Sequence, residues 1–590
     1  MKKFLAILFL IFTVVSVKAQ KKKPKKNVKD SVKTEVVHVV TSYIPKVSDA
    51  TKLRKKPKII FGKQSKKKPL QYTIFSAPVA STFIPKSGTV KGVDLGVKEQ
   101  LYNNYIAGGF GNNNTPFFEM YLSHMSKFEN EFGLYTQYIS SDNTIETTPL
   151  NSEFSNFSTE LFFKQKAHYF DWKINLKSER NNYNWYGIPN LPFTTNTINA
   201  IGEKQVFALF QLNGELLFDD SLINTISSSF SSFTDFFKSK ETKFVLSPSF
   251  QFPLYKLGKN FNDLEVDTKI EFLSGNFVKD YTNTATINYA FINVSAHPMY
   301  RFKWNDFSFK LGTKLYFSAD TENKLNDFFI YPDIRISYPV LKDQLFVYAG
   351  TSGDLYTNSY EQFVDENPFV SPTMFITTTN ESYSFFGGFS GKFSNNVAFN
   401  IKGSYSNIED KPLFIRNNSK SDGTFSSVAG VDLKGYEYGN SFAVFYDDIQ
   451  TLSLLTEFTI DASKNISTGL NFRYNNYITT KQLFAYNLPN LEGNLFAFYK
   501  KDKVYAKANL FYVGKRKDLL YTGIYPSAIS AVQTLKAYID LNINGGYHFN
   551  DKFSAFLRMN NVFNTKYQRF SNFNVQGFQI LAGATWKFDF

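Results

Sequence analysis

The chain has 590 residues, with 66 Lys and Arg against 51 Asp and Glu, and it contains no Cys. The lack of Cys excludes disulfides, thiolate metal sites and a lipoprotein anchor. Residues 20–72 hold 17 basic and three acidic residues, whereas residues 73–590 hold 46 basic and 48 acidic residues. The net charge of +15 therefore describes an N-terminal segment and says nothing about the partners of the rest of the chain.

The N-terminus predicts a secretory signal peptide over residues 1–19. Two lysines precede an apolar run over residues 4–17, and small residues stand before a cut between Ala19 and Gln20. A membrane-anchoring helix is the alternative, but the run is shorter than the roughly 20 residues that span a bilayer. We therefore expect export, and the signal peptide plays no part in the fold.

Residues 20–72 are predicted to form a basic, largely disordered periplasmic tail, because blocks of Lys interrupted by Pro stay solvated. Residues 73–97 are less charged and form a connecting segment or a remnant of a plug. The tail has three open roles: binding anionic lipid or acidic cell-wall polymer, filling the interior of the domain that follows, or docking a protein. Nucleic acid would attract the same charge, but an exported chain has little access to it, so we expect no nucleic-acid partner.

From about residue 98 onward, apolar and polar residues alternate along runs of 9–15 residues. Because successive strand side chains point to opposite faces, each run predicts a strand with one apolar and one polar surface. Globular strands average about five or six residues, whereas a tilted strand needs about 9–11 to cross a bilayer. Clear apolar faces are Phe307, Phe309, Leu311, Leu315 and Phe317, then Ile466, Leu470, Phe472 and Tyr474. The polar face, expected to line a lumen, includes Lys310, Lys314, Arg473, Lys507, Asn509, Asp540 and Asn542.

Short polar breaks recur in this region and predict the periplasmic turns of long hairpins. Their spacing of about 41 residues holds two strands and a longer loop, which extrapolates to roughly 22 strands over residues 98–590. The seven breaks are Asn305-Asp306, Lys342-Asp343, Asn395-Asn396, Lys434-Gly435, Lys464-Asn465, Lys501-Asp502 and Asn550-Asp551. The longer polar stretches, predicted as extracellular loops, are 354–379, 409–426, 477–491 and 516–532.

The chain ends on a run that predicts the strand closing a barrel. Its shared apolar face consists of Phe578, Ile580, Ala582, Ala584, Trp586, Phe588 and Phe590. Since a sheet in lipid cannot leave an edge unpaired, this strand must pair with the first one. We therefore expect an all-β fold, a large closed antiparallel transmembrane β-barrel of roughly 22 strands in a bacterial outer membrane, with a short basic N-terminal extension. A cytosolic sandwich is the alternative, and the signal peptide argues against it.

Segments 538–542, 556–567 and 575–577 carry motifs such as Asn560-Asn561-Val562-Phe563-Asn564, and 486–489 adds a weaker one. These motifs resemble the TonB-dependent receptor family, particularly its members from Bacteroidetes-type bacteria. The resemblance implies a 22-stranded outer-membrane transport barrel preceded by a globular plug. A terminal Phe such as Phe590 resembles the usual insertion signal of such barrels, which implies outer-membrane lipid and the barrel-assembly machinery as partners.

Only residues 20–97 precede the predicted barrel, which is too short for an ordinary plug of that family, so we expect a reduced or absent plug. A short β-prone run in the tail resembles a degenerate energy-coupling box, which would pair as an added strand with a TonB-type energy transducer. Its residues are Glu35, Val36, Val37, His38, Val39 and Val40. A β-prone run without a partner is the alternative, and another outer-membrane or periplasmic protein is an alternative partner for residues 20–97.

No spacing of the five His residues predicts a metal site, and no hydrolase, nucleotide-binding or zinc-protease motif occurs. We therefore expect no enzyme activity, no cofactor and no metal. The leading hypothesis is a transport protein that passes, or helps to pass, a solute across the outer membrane. The alternative is a scaffold or accessory subunit of an outer-membrane assembly with no substrate of its own.

Overall fold

The computed structural model describes residues 102–590, apart from 127–128, 143–144, 146–147, 220, 255–261, 343, 424–431, 522 and 527–529. The described residues form 26 strands and two short helices. The helices are α1 (Thr195–Ala200) and α2 (Tyr360–Glu366). The strands are β1 (Asn104–Gly111), β2 (Thr115–Met125), β3 (Asn130–Ser141), β4 (Phe154–Lys166), β5 (Phe170–Asn184), β6 (Lys204–Phe218), β7 (Ile223–Asp235), β8 (Lys240–Phe252), β9 (Leu264–Phe277), β10 (Ile287–Trp304), β11 (Phe307–Asp320), β12 (Leu325–Leu341), β13 (Leu345–Thr357), β14 (Thr378–Ser394), β15 (Val397–Arg416), β16 (Phe442–Ser463), β17 (Ile466–Thr479), β18 (Leu491–Lys501), β19 (Val504–Val513), β20 (Arg516–Tyr521), β21 (Ser530–Leu535), β22 (Tyr538–His548), β23 (Phe553–Asn560), β24 (Gln568–Phe570), β25 (Phe573–Asn574) and β26 (Gln579–Phe588).

Twenty-two of these described strands form one antiparallel sheet that closes on itself. Each strand pairs with its neighbours in the chain, except that β19 pairs with β22 and β23 with β26, because two small hairpins stand between them. The last strand pairs with the first, with Trp586 opposite Ile106 and Phe588 opposite Asn104. The closed barrel and its 22 strands confirm the fold class expected from the sequence.

The barrel wall is apolar outside and polar inside, as period-two alternation requires. On β11, Leu311 and Phe317 are exposed on the outer surface. On the inner face, Lys310 donates to Asp333 at 2.5 Å, and Lys314 donates to Asp354 at 2.6 Å. The predicted lumen lysines on this strand therefore point inward, where acidic side chains of β12 and β13 neutralise them.

The two ends of the barrel differ in the length of their connections. Six of the seven predicted breaks lie in short turns between strands. These turns are all at the end of the barrel where the chain enters β1. Asn305 and Asp502 in these turns have φ of 51° and 50°, a region that Asn and Asp tolerate and that tight hairpins require. We call this the short-turn end.

The seventh break, Lys434-Gly435, was wrongly predicted as such a turn. It lies in the loop 417–441 between β15 and β16, at the opposite, long-loop end. The physical reason for Gly435 is a close backbone approach, because a Cβ built there would stand 1.7 Å from the carbonyl oxygen of Gly202. A Lys-Gly pair thus indicates a close backbone approach, but it does not indicate at which end of the barrel that approach lies.

Long connections gather at the long-loop end, and both hairpins outside the barrel sheet, β20–β21 and β24–β25, belong to them. No helix within the described ranges is long and apolar enough to cross a membrane. The described connections at this end consist of loops, two short helices and two short hairpins.

Because the outer face of the wall is apolar, a charged substitution there should destabilise the barrel more than one on the inner face. Leu212, on β6, is 42% exposed on the outer face, whereas its neighbour Gln211 lies on the inner face. Leu212→Arg should destabilise the barrel in lipid by about 2–4 kcal/mol, because a cation then faces hydrocarbon. Gln211→Arg is the matched control and should cost far less. Denaturant unfolding in vesicles measures both, and equal losses would contradict the assignment of the two faces.

Candidate functional site

The long-loop end contains an apolar core that lies within the barrel wall. We call residues 358–377, between β13 and β14, the mouth loop; it includes α2. Its buried apolar side chains join wall residues of β6, β7, β9, β10 and β16 in one cluster. The mouth-loop members of this cluster are Tyr360, Phe363, Val364, Phe369, Val370, Met374 and Ile376. The mouth loop therefore folds inward and packs against the wall.

A buried carboxylate on the wall anchors the start of the mouth loop. Glu241 on β8 is 2% exposed, and its two oxygens accept the backbone N–H groups of Tyr360 and Glu361 at 2.6 and 3.1 Å. The hydroxyl of Tyr289 on β10 donates to the same carboxylate at 2.7 Å. The first N–H groups of a helix lack partners within the helix, so Glu241 supplies the acceptors that α2 needs.

The far half of the mouth loop packs against the loop that precedes the closing strand. Phe369 stacks on Phe573 with ring centroids 3.7 Å apart. The guanidinium of Arg569 donates to the backbone carbonyl of Glu366 at 2.8 Å. On its other side, the N–H of Phe442 donates to the carbonyl of Phe369 at 3.0 Å. The mouth loop is thus held by β16 and by residues 561–578, which we call the closing loop.

The loop 417–441 is held at the same end by a buried charge cluster. The ammonium groups of Lys279 and Lys420 each donate to Glu437 at 2.6 Å. Burial would raise the pKa of Glu437, but the two hydrogen bonds outweigh it and lower that pKa below its usual range. Glu437 is therefore a carboxylate at neutral pH, and it binds together loops that are far apart in the chain.

Beneath the mouth loop and the closing loop lies a cavity of about 130 Å³. Its lining combines aromatic rings of the loops with amide and charged side chains of the wall and the closing loop. Residues that define it are Asn112, Tyr186, Phe369, Asp540, Asn542 and Arg569. Asn112 in the short β1–β2 turn is exposed, so the cavity meets the surface at that edge. Within the described part of the chain, no group of three His, Asp or Glu side chains is placed to hold a metal ion.

Some of the residues singled out from sequence lie in the described structure, and others lie outside it. Ile580, Trp586 and Phe588 lie in β26, flanked by Phe578 and by Phe590, and Trp586 is half exposed on the outer face. The cleavage site Ala19–Gln20 and the segment 35–40 lie outside the described residues. Asp540 and Asn542, expected to line the lumen, do line the cavity.

The sequence did not indicate Glu241, Arg569 or the mouth loop as site residues. Glu241 is a single acid in a strand, and its helix partner lies 119 residues further along the chain. The sequence signal for the mouth loop was its apolar content, with residues such as Phe363 and Phe369 in a stretch predicted as a loop. Aromatic residues in a long barrel loop indicate a loop that packs inward.

No protein-family model matches the sequence, and no curated protein shows significant similarity to it. Solved structures of several transporters and receptors share the fold. The FrpB iron transporter from Neisseria meningitidis aligns with a TM-score of 0.60 and 10% identity, over 83% of this chain and 82% of that one. The outer-membrane ferripyoverdine receptor of Pseudomonas aeruginosa aligns with 0.55 and 12%, over 83% and 72%. The ferric-catecholate import receptor Fiu from Escherichia coli K12 aligns with 0.58 and 9%, over 83% and 82%. Identities this low establish the likeness of the fold alone.

The Glu241 anchor predicts a local effect on the mouth loop. Glu241→Ala leaves two buried N–H groups without acceptors, and so should lower the free energy of opening of the mouth loop by about 1–3 kcal/mol. Hydrogen exchange at the amides of Tyr360 and Glu361 should accelerate accordingly. Glu265→Ala, which removes a more exposed acid paired with Arg301 on the neighbouring strand, is the control. Unchanged exchange in the first variant would refute the anchor.

Two buried acids in the loops predict that the stability of the loops depends on pH. Burial raises the pKa of Glu366 to about 7, against a hydrogen bond from Gln362 and the charge of Lys411. Burial likewise raises the pKa of Asp518 to about 7, against a backbone hydrogen bond from Leu519 and the charge of Arg416.

Because both folded pKa values exceed those of the unfolded chain, the folded loops bind more protons between about pH 4 and 7. Their stability should therefore be greatest at acidic pH and fall as the pH rises through 7. Hydrogen exchange of the mouth loop, corrected for intrinsic rates, should show more protection at pH 5.5 than at pH 8. The variant Glu366→Gln should weaken this dependence in the mouth loop, and protection that increases with pH would contradict it.

Proposed function

We propose that this protein is an outer-membrane transport protein, a TonB-dependent-receptor-like barrel with a reduced plug, in which its own loops take over part of the closing role. The observation that supports this most directly is the mouth loop, which packs inside one end of a closed 22-stranded barrel. Barrels of this width enclose a lumen that outer-membrane transporters keep plugged. A solute passing through such a lumen needs the mouth loop to move.

The long-loop end is proposed to face the outside of the cell and the short-turn end the periplasm, as is usual for outer-membrane barrels. The chain enters β1 at the short-turn end. In this proposal residues 1–19 direct export, and residues 20–97 stay in the periplasm or enter the lumen. Residues 35–40 then form the segment that contacts a TonB-type transducer.

In this proposal the mouth loop moves as a unit. Besides its apolar packing, the mouth loop is attached through polar contacts to Glu241 and to Arg569, at opposite ends of α2. Movement therefore has to break both polar contacts and withdraw the buried apolar side chains together. The proposal therefore assigns gating to the mouth loop and support to the wall.

Single-channel conductance in planar bilayers tests this function. The intact chain should show no steady conductance, and the chain lacking residues 20–97 should show brief openings as the mouth loop moves. Replacing residues 359–376 by a Gly/Ser linker in that shortened chain should give a large, steady conductance. A barrel that stays closed in this last form would overturn the transport proposal and favour a scaffold without a solute.

A further inference from the structure

The β20–β21 hairpin contacts the closing loop through a buried arginine. Arg516 on β20 is 1% exposed, and its guanidinium donates to the backbone carbonyl of Gln568 at 2.6 Å and to that of Arg569. The planar fork of guanidinium N–H groups suits two carbonyls that follow each other along the chain. The guanidinium also lies over the ring of Tyr538 on β22, 5.7 Å from the ring centroid. Arg516 therefore holds the start of the small hairpin β24–β25 in place.

A second contact joins the same two hairpins. The hydroxyl of Ser571, which is buried, donates to the side-chain oxygen of Gln533 on β21 at 2.9 Å. The β20–β21 hairpin is attached to another loop as well, because the N–H of Tyr525 donates to the carbonyl of Ser419, in the loop before β16, at 2.7 Å. The β20–β21 hairpin thus ties the closing loop to the rest of the long-loop end.

On its other side, the same part of the closing loop holds the mouth loop. Phe573 stacks on Phe369, and Arg569 donates to the carbonyl of Glu366, as described above. Phe570 and Phe573 both belong to the apolar core that the mouth loop forms with the wall. The β24–β25 hairpin therefore lies between the mouth loop and the β20–β21 hairpin and contacts both.

The two neighbours of Phe369 differ in how they are held. On one side, the carbonyl of Phe369 accepts the N–H of Phe442 on β16, which is paired with β15 in the closed barrel sheet. On the other side lies Phe573 of the closing loop, and β24–β25 is not part of the barrel sheet. Of these two sides, the closing loop is the one that can move without breaking pairs of the barrel. The hydrogen bonds of Arg516 oppose that movement.

We propose that the β20–β21 hairpin keeps the mouth loop closed by way of the closing loop, with Arg516 as the positioning residue. The mouth loop and the closing loop then open together, and both hydrogen bonds of Arg516 break when they do. This inference deepens the proposed transport function, on which it rests, by naming the contact that controls the movement of the mouth loop.

Hydrogen exchange of the full-length, unaltered protein in detergent tests whether the two loops open together. The N–H of Asn367 donates within the mouth loop at 2.8 Å, and the N–H of Val575 donates within the closing loop at 3.0 Å. In a series of low denaturant concentrations, the two amides should show the same free energy of opening, as members of one cooperative unit do. A lower free energy of opening at Asn367 than at Val575 would mean that the mouth loop opens alone, and would overturn the inference.

Substitution of Arg516 tests the contact itself. Arg516→Met leaves two buried carbonyls without donors, and should accelerate exchange at both Asn367 and Val575 by at least about tenfold. Arg516→Lys keeps the charge but loses the fork, so it should give an intermediate acceleration. Lys517→Met is the matched control, because the ammonium group of Lys517 donates to Thr534 within the same hairpin at 2.7 Å. It should leave both rates unchanged.

Acceleration at Val575 with an unchanged rate at Asn367 would overturn the inference, since Arg516 would then hold the closing loop alone. Amides of the wall strand β11 report whether a variant still forms the barrel, and the comparison in the unaltered protein decides the question if one does not. In planar bilayers, Arg516→Met in the chain lacking residues 20–97 should increase the frequency of brief openings. Faster exchange at both amides without any openings would refute the transport function and leave this inference standing.

Discussion

Pairing of every backbone group is the constraint on which this structure depends. In hydrocarbon an unpaired strand edge has no water to satisfy it, so a sheet that spans the membrane must close. Here the closure lies between β26 and β1, with residues from Gly111 to Asn104 matched against Leu581 to Phe588. A closed barrel of 22 strands is wide, and a wide barrel has an open lumen unless something fills it.

The loops close part of that lumen by packing against the wall. Aromatic side chains of the mouth loop bury themselves against wall residues such as Phe207 and Phe277. The wall contributes Glu241, which accepts hydrogen bonds from α2 and Tyr289. The result is a paired wall that carries a cover, held to it by a shared apolar core and by polar contacts at Glu241 and Arg569.

The wall was predictable from sequence because its physics is local and periodic. Alternation along β11 and β22 gave the two faces, and the spacing of polar breaks gave the number of strands. The cover was not predictable, because its contacts join residues far apart in the chain, such as Phe369 with Phe573. The prediction of a turn at Lys434-Gly435 was wrong for the same reason. Gly435 is required by a close approach to Gly202, which no local pattern contains.

The central claim is that solute passage requires movement of the mouth loop, and a reversible covalent lock tests it most directly. The chain has no Cys, and Val370 in the mouth loop is the β-bridge partner of Phe442 at the start of β16. A Val370→Cys and Phe442→Cys pair can therefore be oxidised to hold the loop against the wall. In the chain lacking residues 20–97, oxidation should abolish the brief single-channel openings and dithiothreitol should restore them. Openings of the same size and frequency in the oxidised and reduced forms would contradict the account.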